Sequence, residues 1–125
     1  DNNRLDKLKL RSYIIAERLE IMEKYGIAII SVTNKEKERF HHIKGDTEGL
    51  VNVALSIEGV KAAAFFVEGD DVIKISFRSK GDIAVNQLSA DHFNGGGHKN
   101  AAGGASYLGL DETIEKFKSI VPNYF

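Results

Sequence analysis

The residues best suited to chemistry lie in a glycine-rich segment that contains a histidine. Gly95, Gly96 and Gly97 directly precede His98, and Gly103 follows in the same segment. Because glycine has no Cβ, its backbone can approach a ligand closely, and consecutive glycines can turn several N–H groups toward one anion. His98 can donate a hydrogen bond to a phosphate and gains positive charge when it is protonated. The segment therefore predicts an anion site, with a flexible turn as the alternative for a run of glycines.

Small residues beyond the histidine favour the anion site over a flexible turn. The stretch Ala101-Ala102-Gly103-Gly104 indicates close packing beneath the loop, which a merely flexible loop would not need. A helical turn opening at Lys99 to Gly103 would add its free N–H groups to the site. We expect residues 94–98 themselves to have no regular structure.

A second phosphate contact is predicted where a strand ends. Arg78 and Ser79 close a segment, residues 71–79, in which apolar and polar residues alternate. The planar guanidinium of arginine suits bidentate contacts with phosphate oxygens. Taken alone, Arg78 is more simply a solvated strand-end residue. A phosphate-binding role predicts that Arg78 and His98 point into one cleft.

Other charged residues do not form a catalytic site. His41-His42 beside Asp46 matches no standard metal-ligand spacing, and Asp70-Asp71 suits a hairpin turn. Asp91-His92 fits the polar end of a helix, and the charges of residues 35–39 fit a solvated surface. The sequence has no cysteine, which excludes disulfides and thiolate metal sites. It therefore predicts a phosphate binder with neither catalytic residues nor metal ligands of its own.

Helices and strands interleave along the chain. This predicts an α/β (α+β) domain whose mixed, partly antiparallel sheet is flanked by helices. Amphipathic spacing predicts a helix over residues 6–25 that Gly26 ends, and β-branched residues predict a strand directly after it. Gly69-Asp70 predicts a hairpin between two later strands. Asp46 and Asp111 are expected to be the N-caps of two further helices.

The overall composition sets limits on the kind of protein. The chain has 125 residues, 28% of them charged, and a formal net charge of −1, which fits one globular domain. Because no global basic field exists, contact with a polyanion must be local. No apolar run reaches the roughly 18 residues of a membrane span, so no membrane partner is expected. The absence of cysteine fits a cytoplasmic protein, and the non-methionine start suggests a piece of a longer chain.

The segment Gly95–Gly103 resembles the Gly-Gly-Gly-His-x-x-Ala-Ala-Gly signature of the DHHA1 domain. This domain is the C-terminal half of the DHH phosphoesterases. Three further stretches, Gly45–Asn52, Ser56–Val60 and Lys74–Ser79, resemble the nanoRNase or oligoribonuclease group of that superfamily. Members of the group are labelled bifunctional oligoribonuclease and phosphoadenosine-phosphate phosphatase, or exopolyphosphatase-related. The resemblance covers nearly the whole chain from about Leu10 onward.

The resemblance implies a two-domain enzyme. Its N-terminal DHH domain holds two metal ions, usually manganese, which activate water to hydrolyse a phosphoester. Arg78 and Ser79 would hold substrate phosphate, and the Gly95–His98 loop would contact the terminal nucleotide. This sequence has no Asp-His-His triplet. We therefore expect residues 1–25 to lead in from a missing DHH domain, residues 26–125 to form the DHHA1 domain, and the chain alone to be inactive.

Several alternatives stay open. The substrate could be short RNA, phosphoadenosine phosphate, a cyclic dinucleotide or polyphosphate, and the chain could form a homodimer. A stand-alone RNA-binding module, like the related domain of alanyl-tRNA synthetases, is the first competing function. The stretches around Asp46 and Ser56, and the lack of a basic surface, favour the phosphoesterase instead. An interaction domain with a purely structural glycine loop is the second, and it requires Arg78 and His98 to lie far apart.

Overall fold

A computed structural model describes residues 4–125, in which one open sheet is flanked by helices. The strand order is β1-β2-β3-β4-β6-β5; β2 and β3 are parallel, and the other neighbouring pairs are antiparallel. This confirms the predicted α/β class and its mixed sheet. The elements are α1 (Leu5–Glu17), β1 (Glu20–Met22), β2 (Ile27–Val32), α2 (Asn34–Arg39), α3 (Leu50–Leu55), β3 (Ala62–Glu68), β4 (Ile73–Ser79), α4 (Val85–His92), β5 (Gly96–His98), β6 (Ala101–Ser106) and α5 (Leu110–Ile120), followed by a short 3-10 helix (Val121–Asn123).

The first face of the sheet packs against α4 and α5. Alternate residues of the central strands, among them Phe66 and Phe77, point to this face and are almost fully buried. Phe117 of α5 lies with its ring centroid 5.5 Å from that of Phe66, and Phe93 lies 5.7 Å from Phe77. Each buried aromatic side chain contributes about 1.5–3 kcal/mol, so this layer holds β3 and β4 firmly.

The second face of the sheet is covered only in part. Leu10 and Ile14 of α1 and Leu50 of α3 pack on β2 and β3, where Phe65 is buried. Among residues 4–125, this second core draws no buried member from β4, β5 or β6. α3 also approaches β4, so the uncovered part of the second face lies over β5 and β6.

The first helix is shorter than predicted. It ends at Glu17, and Glu20–Met22 forms the edge strand β1, in which Ile21 pairs with Ala28. The prediction was wrong for residues 18–25 because Ile21 and Met22 suit a strand as well as a helix, and the free edge of β2 supplies backbone partners. Gly26, at φ +67°, closes the turn between β1 and β2 rather than a helix.

Neither aspartate predicted as an N-cap caps a helix. Gly49 and Gly109 occupy the N-cap positions of α3 and α5, without side-chain hydrogen bonds. Asp46 is instead buried in an ion pair with Arg4. Asp111 lies inside the first turn of α5, where its charge favours the positive end of the helix dipole. Aspartate is common at both kinds of position, so the residue type alone does not separate them.

The predicted hairpin is confirmed. β3 and β4 pair in antiparallel register, and the Gly69 N–H donates to the Val72 carbonyl at 2.9 Å. Within residues 4–25, α1 and β1 belong to the same sheet and core as the rest. The assignment of residues 1–25 to a lead-in from another domain stays a prediction. No helix in the described part of the chain has both the length and the apolar character needed to cross a membrane.

Candidate phosphate-binding site

Arg78 and His98 lie on the same side of the sheet, at the two ends of one cross-strand row. Arg78 of β4 pairs with Ala101 of β6, and Ala101 pairs with His98 of β5. Directly opposed residues of antiparallel strands point to the same face, so only a small alanine stands between the two side chains. Two strand spacings put their Cα atoms about 10 Å apart. The structure thus places the two strongest sequence candidates at one surface.

That surface is the second face of β4, β6 and β5, which α3 approaches at β4. Along β4 the side chains alternate, so Ile75 and Phe77 enter the first core while Lys74, Ser76 and Arg78 point the other way. The same alternation on β6 buries Ala102 in the first core and directs its two neighbours to the other face. We call this surface the open face; it consists of Lys74, Ser76, Arg78, Gly96, His98, Ala101, Gly103 and Ala105.

Two glycines in the middle of the open face have no steric reason to be glycine. Gly96 and Gly103 pair with each other in register, and Ser76 continues the row on β4. A Cβ added to Gly96 would meet nothing within 4 Å, and one on Gly103 would meet only the Ile75 carbonyl oxygen at 3.6 Å. Neither residue has a left-handed φ. Because they have no side chains, the surface between Arg78 and the far end of the open face is flat. We call this flat area, formed by Gly96 and Gly103, the floor.

The other glycines of the segment are required by packing. A Cβ on Gly95 would collide with the Gly103 carbonyl oxygen, and one on Gly104 would stand 2.8 Å from Ser89 Oγ. Gly97 has φ +140°, which few side chains tolerate. Ser89 is fully buried, and its hydroxyl donates to the Gly103 carbonyl at 2.6 Å, which ties α4 to β6. The glycine-rich signature therefore combines residues that close the fold with residues that keep a surface clear.

Two local predictions for this segment were wrong. Gly96–His98 is not irregular but forms β5, an edge strand paired with β6. The segment from Lys99 to Gly103 does not open a helix, because Ala101 already starts β6. Three glycines in a row concealed the strand, since glycine is depleted in strands and has no side-chain pattern to read. The anion site therefore has no helix N-terminus.

The guanidinium of Arg78 keeps most of its donors free. Its Nη1 donates to the carbonyls of Phe77 at 2.8 Å and Ala102 at 3.5 Å. Arginine has five N–H donors, and among residues 4–125 no carboxylate pairs with this one. Arg78 is half-buried beside the floor and is held by backbone carbonyls at its base. It can therefore still offer donors to an anion on the open face.

Ser79 lies on the opposite face from Arg78. Its side chain is buried, and its hydroxyl donates to the Ile83 carbonyl at 2.6 Å while it accepts from Asn100 Nδ2 at 2.9 Å. A direct phosphate contact by Ser79 stays a prediction, and this geometry does not favour it. What the hydroxyl does in the structure is join the end of β4 to the turn between β5 and β6.

Asn100 completes this junction and was missed by the sequence reasoning. Its Nδ2 lies 2.9 Å from Ser79 Oγ and 3.2 Å from the carbonyls of both Gly81 and Ile83. Its backbone carbonyl accepts from the Ser79 N–H at 3.0 Å. One side chain thus fixes the β5–β6 turn against β4, which sets His98 in the row of Arg78. Asn100 occupies a variable position of the signature, so the motif gave no signal for it.

The remaining charged candidates serve the fold. Asp46 accepts from the two terminal guanidinium nitrogens of Arg4, Nη1 at 2.8 Å and Nη2 at 2.7 Å, and from the Ile43 N–H at 2.9 Å. Hydrogen bonding from Arg4 holds the pKa of Asp46 well below its ordinary value. His41 lies 3.3 Å from Asp6, on the surface. These residues tie the segment before α3 to the start of α1.

A cavity lies away from the open face. A cavity of about 690 Å³ is lined by residues that include Tyr25, Lys61, Ile83 and Tyr124, on the α4 side of the sheet. It does not include Arg78 or His98. The open face is a shallow surface, whereas sites that bury most of a small ligand are concave. A ligand on the open face would therefore be covered on one side only.

The residues present do not fit the two-metal site that the resemblance implies for the other domain. In the described part of the chain, no three side chains of His, Asp or Glu converge as metal ligands.

Comparisons with known proteins show the family of the chain. A family model described as the DHHA1 domain matches residues 42–125. The chain is 36% identical to the bifunctional oligoribonuclease and PAP phosphatase NrnA of Bacillus subtilis, over 83% of this chain and 32% of that protein. It is 40% identical to an exopolyphosphatase-related protein of Bacteroides fragilis, whose crystal structure matches with a TM-score of 0.92 over 97% of this chain and 35% of that one.

A more distant structure shares the fold alone. The C-Ala domain of Aquifex aeolicus alanyl-tRNA synthetase matches with a TM-score of 0.60 at 10% identity, over 83% of this chain and 97% of that domain. The proteins from Bacillus subtilis and Bacteroides fragilis are longer than this domain, because the chain spans only about a third of the length of each of them.

Proposed function

This chain belongs to the DHHA1 domain family of the DHH phosphoesterases, and we propose that it supplies the substrate-binding half of such an enzyme. The open face would hold the phosphate and terminal nucleotide of a short RNA or of phosphoadenosine phosphate. The names of the Bacillus relative support this substrate class. Hydrolysis would need a second domain with the metal ions, so we expect the 125-residue chain alone to bind and not to cleave.

One observation carries the proposal. Arg78 and His98 stand in one cross-strand row beside a floor of glycine that packing does not require. A guanidinium offers paired N–H donors to phosphate oxygens, and a histidine can add a third donor from the opposite side. The flat floor lets a base or sugar approach the backbone. The arrangement suits a phosphorylated nucleotide better than a compact inorganic anion, because it is elongated and one-sided.

The supporting residues have positional roles in this proposal. Ser79 and Asn100 hold the β5–β6 turn, and Gly95 and Gly97 allow β5 to lie close to β6. None of these four needs to touch the substrate. The stand-alone RNA-binding alternative rests on fold likeness to the C-Ala domain at 10% identity, so we prefer the phosphoesterase.

Substitution of the two donors tests the proposal. We expect Arg78→Gln and His98→Ala each to raise the Kd of the chain for a phosphorylated diadenylate, pApA, by about tenfold or more. The expected size follows from the loss of one charge-assisted contact of about 1.5–3 kcal/mol. Binding would be measured by calorimetry or by NMR at high protein concentration, with folding checked by circular dichroism.

Arg39→Gln is the matched control, because Arg39 is exposed on α2 and packs only over the rings of Tyr13 and Phe40. It should leave the Kd unchanged. If Arg78→Gln and His98→Ala bind pApA as tightly as the wild-type chain, the open face is not the substrate surface. If all three variants lose affinity equally, the effect is general electrostatics and the assignment is equally wrong.

A further inference from the structure

We infer that Lys74 forms a second phosphate subsite on the open face, which extends the site from one nucleotide to a short oligonucleotide. The inference rests on the proposed function, because it names the substrate length that the same surface would prefer. Lys74 lies outside the Gly95–Gly103 signature, at the first position of the resembling stretch Lys74–Ser79, and no role was predicted for it there.

The register of β4 sets the position of Lys74. It lies on the same face as Arg78 and Ser76, four residues from Arg78 along one strand. At about 3.3 Å per residue, the two positions are about 13 Å apart. Because the stacked rise is about 3.4 Å per nucleotide, this separation exceeds one nucleotide and is spanned by about two to four. A mononucleotide phosphate held at Arg78 therefore leaves Lys74 vacant.

The amine of Lys74 is available for a ligand. Its side chain is exposed, and no carboxylate among residues 4–125 forms an ion pair with it. Most other lysines near the sheet are engaged: Lys80 donates to the Val60 carbonyl at 2.8 Å, and Lys99 pairs with Asp82 at 3.2 Å. Two cations on β4, Lys74 and Arg78, thus face the same surface with unused donors.

The surface between them is clear. Arg78 is paired with Ala101, and Lys74 is paired with Ala105. Between these two pairs, Gly103 of β6 is paired with Gly96 of β5. No side chain larger than serine rises from the floor between the two cations. Because α3 approaches β4 from its β3 side, a single strand would lie over β6, with its backbone reaching both cations and a base over the glycine pair.

The charge pattern also limits the length. Asp70 and Asp71 precede Lys74, in the turn between β3 and β4, and are exposed. A further phosphate beyond Lys74 would meet these two carboxylates, and like charges repel. The favourable track thus runs from Arg78 to Lys74 and ends there. The affinity should rise with chain length until a phosphate reaches Lys74, and then level off.

A length series tests the subsite. Binding of AMP, pApA, pApApA and pApApApA would be measured for the wild-type chain and for Lys74→Gln. We expect Lys74→Gln to leave AMP unaffected and to raise the Kd of the longer members by about five- to tenfold. The slope of log affinity against log salt should also fall by about 0.7 for these members, as expected for one lost contact to single-stranded phosphate.

Lys24→Gln is the matched control. Lys24 is exposed in the turn between β1 and β2, three strands from β4. It should change none of the four affinities. Equal loss for AMP and for the longest oligomer in Lys74→Gln would contradict the subsite, as would no loss for any length. Failure of the wild-type chain to bind any member would instead contradict the proposed function, so the two failures are distinguishable.

Discussion

At the scale of single residues, the glycines of the signature have two different tasks. Gly95 and Gly104 are in close contact with neighbouring backbone or Ser89, so any side chain there would displace β6 or α4. Gly96 and Gly103 have open space above them. The sequence predicted a close approach at all of these positions, but it could not separate an approach to the protein's own backbone from an approach to a ligand. That distinction needs the register of β5 and β6.

This difference predicts opposite effects of two substitutions. Gly95→Ala should destabilise the chain by about 2 kcal/mol or more, because the added Cβ collides with the Gly103 carbonyl. Gly103→Val should leave stability within about 1 kcal/mol, since its Cβ meets only Ile75 at ordinary contact distance and valine favours strands. Urea unfolding followed by circular dichroism measures both changes.

Nucleotide binding provides the second measurement for the same pair. Gly103→Val should abolish measurable binding of pApA despite its intact fold, because the side chain rises from the floor. If Gly103→Val binds pApA like the wild-type chain, the glycine floor has no part in recognition. If it unfolds the chain, the claim that packing does not require this glycine is wrong.

At the scale of elements, the ion pair between Arg4 and Asp46 joins the start of α1 to the segment that leads into α3. The Asp46 side chain is 4% exposed and that of Arg4 is 29% exposed, so the pair is only partly screened by water. Both guanidinium nitrogens contact the carboxylate, which is the stronger geometry for such pairs. We expect this clamp to fix the two helices that cover β2 and β3.

The clamp predicts a pH-dependent stability difference. At pH 7, Asp46→Asn should cost about 1–3 kcal/mol, whereas Asp82→Asn, on the surface, should cost less than about 0.5 kcal/mol. The folded pKa of Asp46 is depressed, so its contribution is fully present above its unfolded pKa of about 3.9 and falls as the pH drops below that value.

Urea titrations of wild-type chain and Asp46→Asn at pH 7, 5 and 3 check this behaviour. The difference between the two should be the same at pH 7 and pH 5 and smaller at pH 3. A difference in the free energy of unfolding that stays constant down to pH 3, or that grows, would show that the Asp46 carboxylate does not stabilise the fold through its ion pair with Arg4.

The elements also show where sequence reasoning works. The β-branched residues 27–32 and the alternation in 73–79 predicted β2 and β4, because burial on both faces or on one face leaves a clear pattern. β1 and β5 have three residues each and were both missed. Their formation depends on the edges of β2 and β6, which are available only once the sheet exists. Ile21 and Met22 could not reveal that from local spacing.

At the scale of the whole molecule, the sheet has one face covered along its length and one face covered over only half of it. α1 and α3 cover β2 and β3, α3 also approaches β4, and the second face of β6 and β5 continues without a helix. The sequence identified Arg78 and the Gly95–His98 segment as partners, but not the surface that unites them. Asn100, which sets the two strands together, carries no motif, and Lys74 lies outside the signature. Both become visible only from strand register and hydrogen bonds.

A one-sided surface with unused cations is what half of a two-domain site would present. The chain spans about a third of the length of its relatives from Bacillus subtilis and Bacteroides fragilis. In our proposal, the rest of such an enzyme would cover the open face and bring the reacting group to the bound phosphate. The cavity of about 690 Å³ beside Tyr25 and Tyr124 is the natural competitor for any small ligand.

Mapping amide chemical shifts during a titration with pApA tests the location of the site most directly. We predict that the shifted signals cluster at Ser76, Arg78, His98 and Gly103 and their immediate neighbours, with the residues around Tyr25 and Tyr124 unchanged. Shifts that centre on Tyr25, Ile83 and Tyr124, or no shifts at millimolar ligand, would contradict the assignment of the open face as the substrate-binding surface.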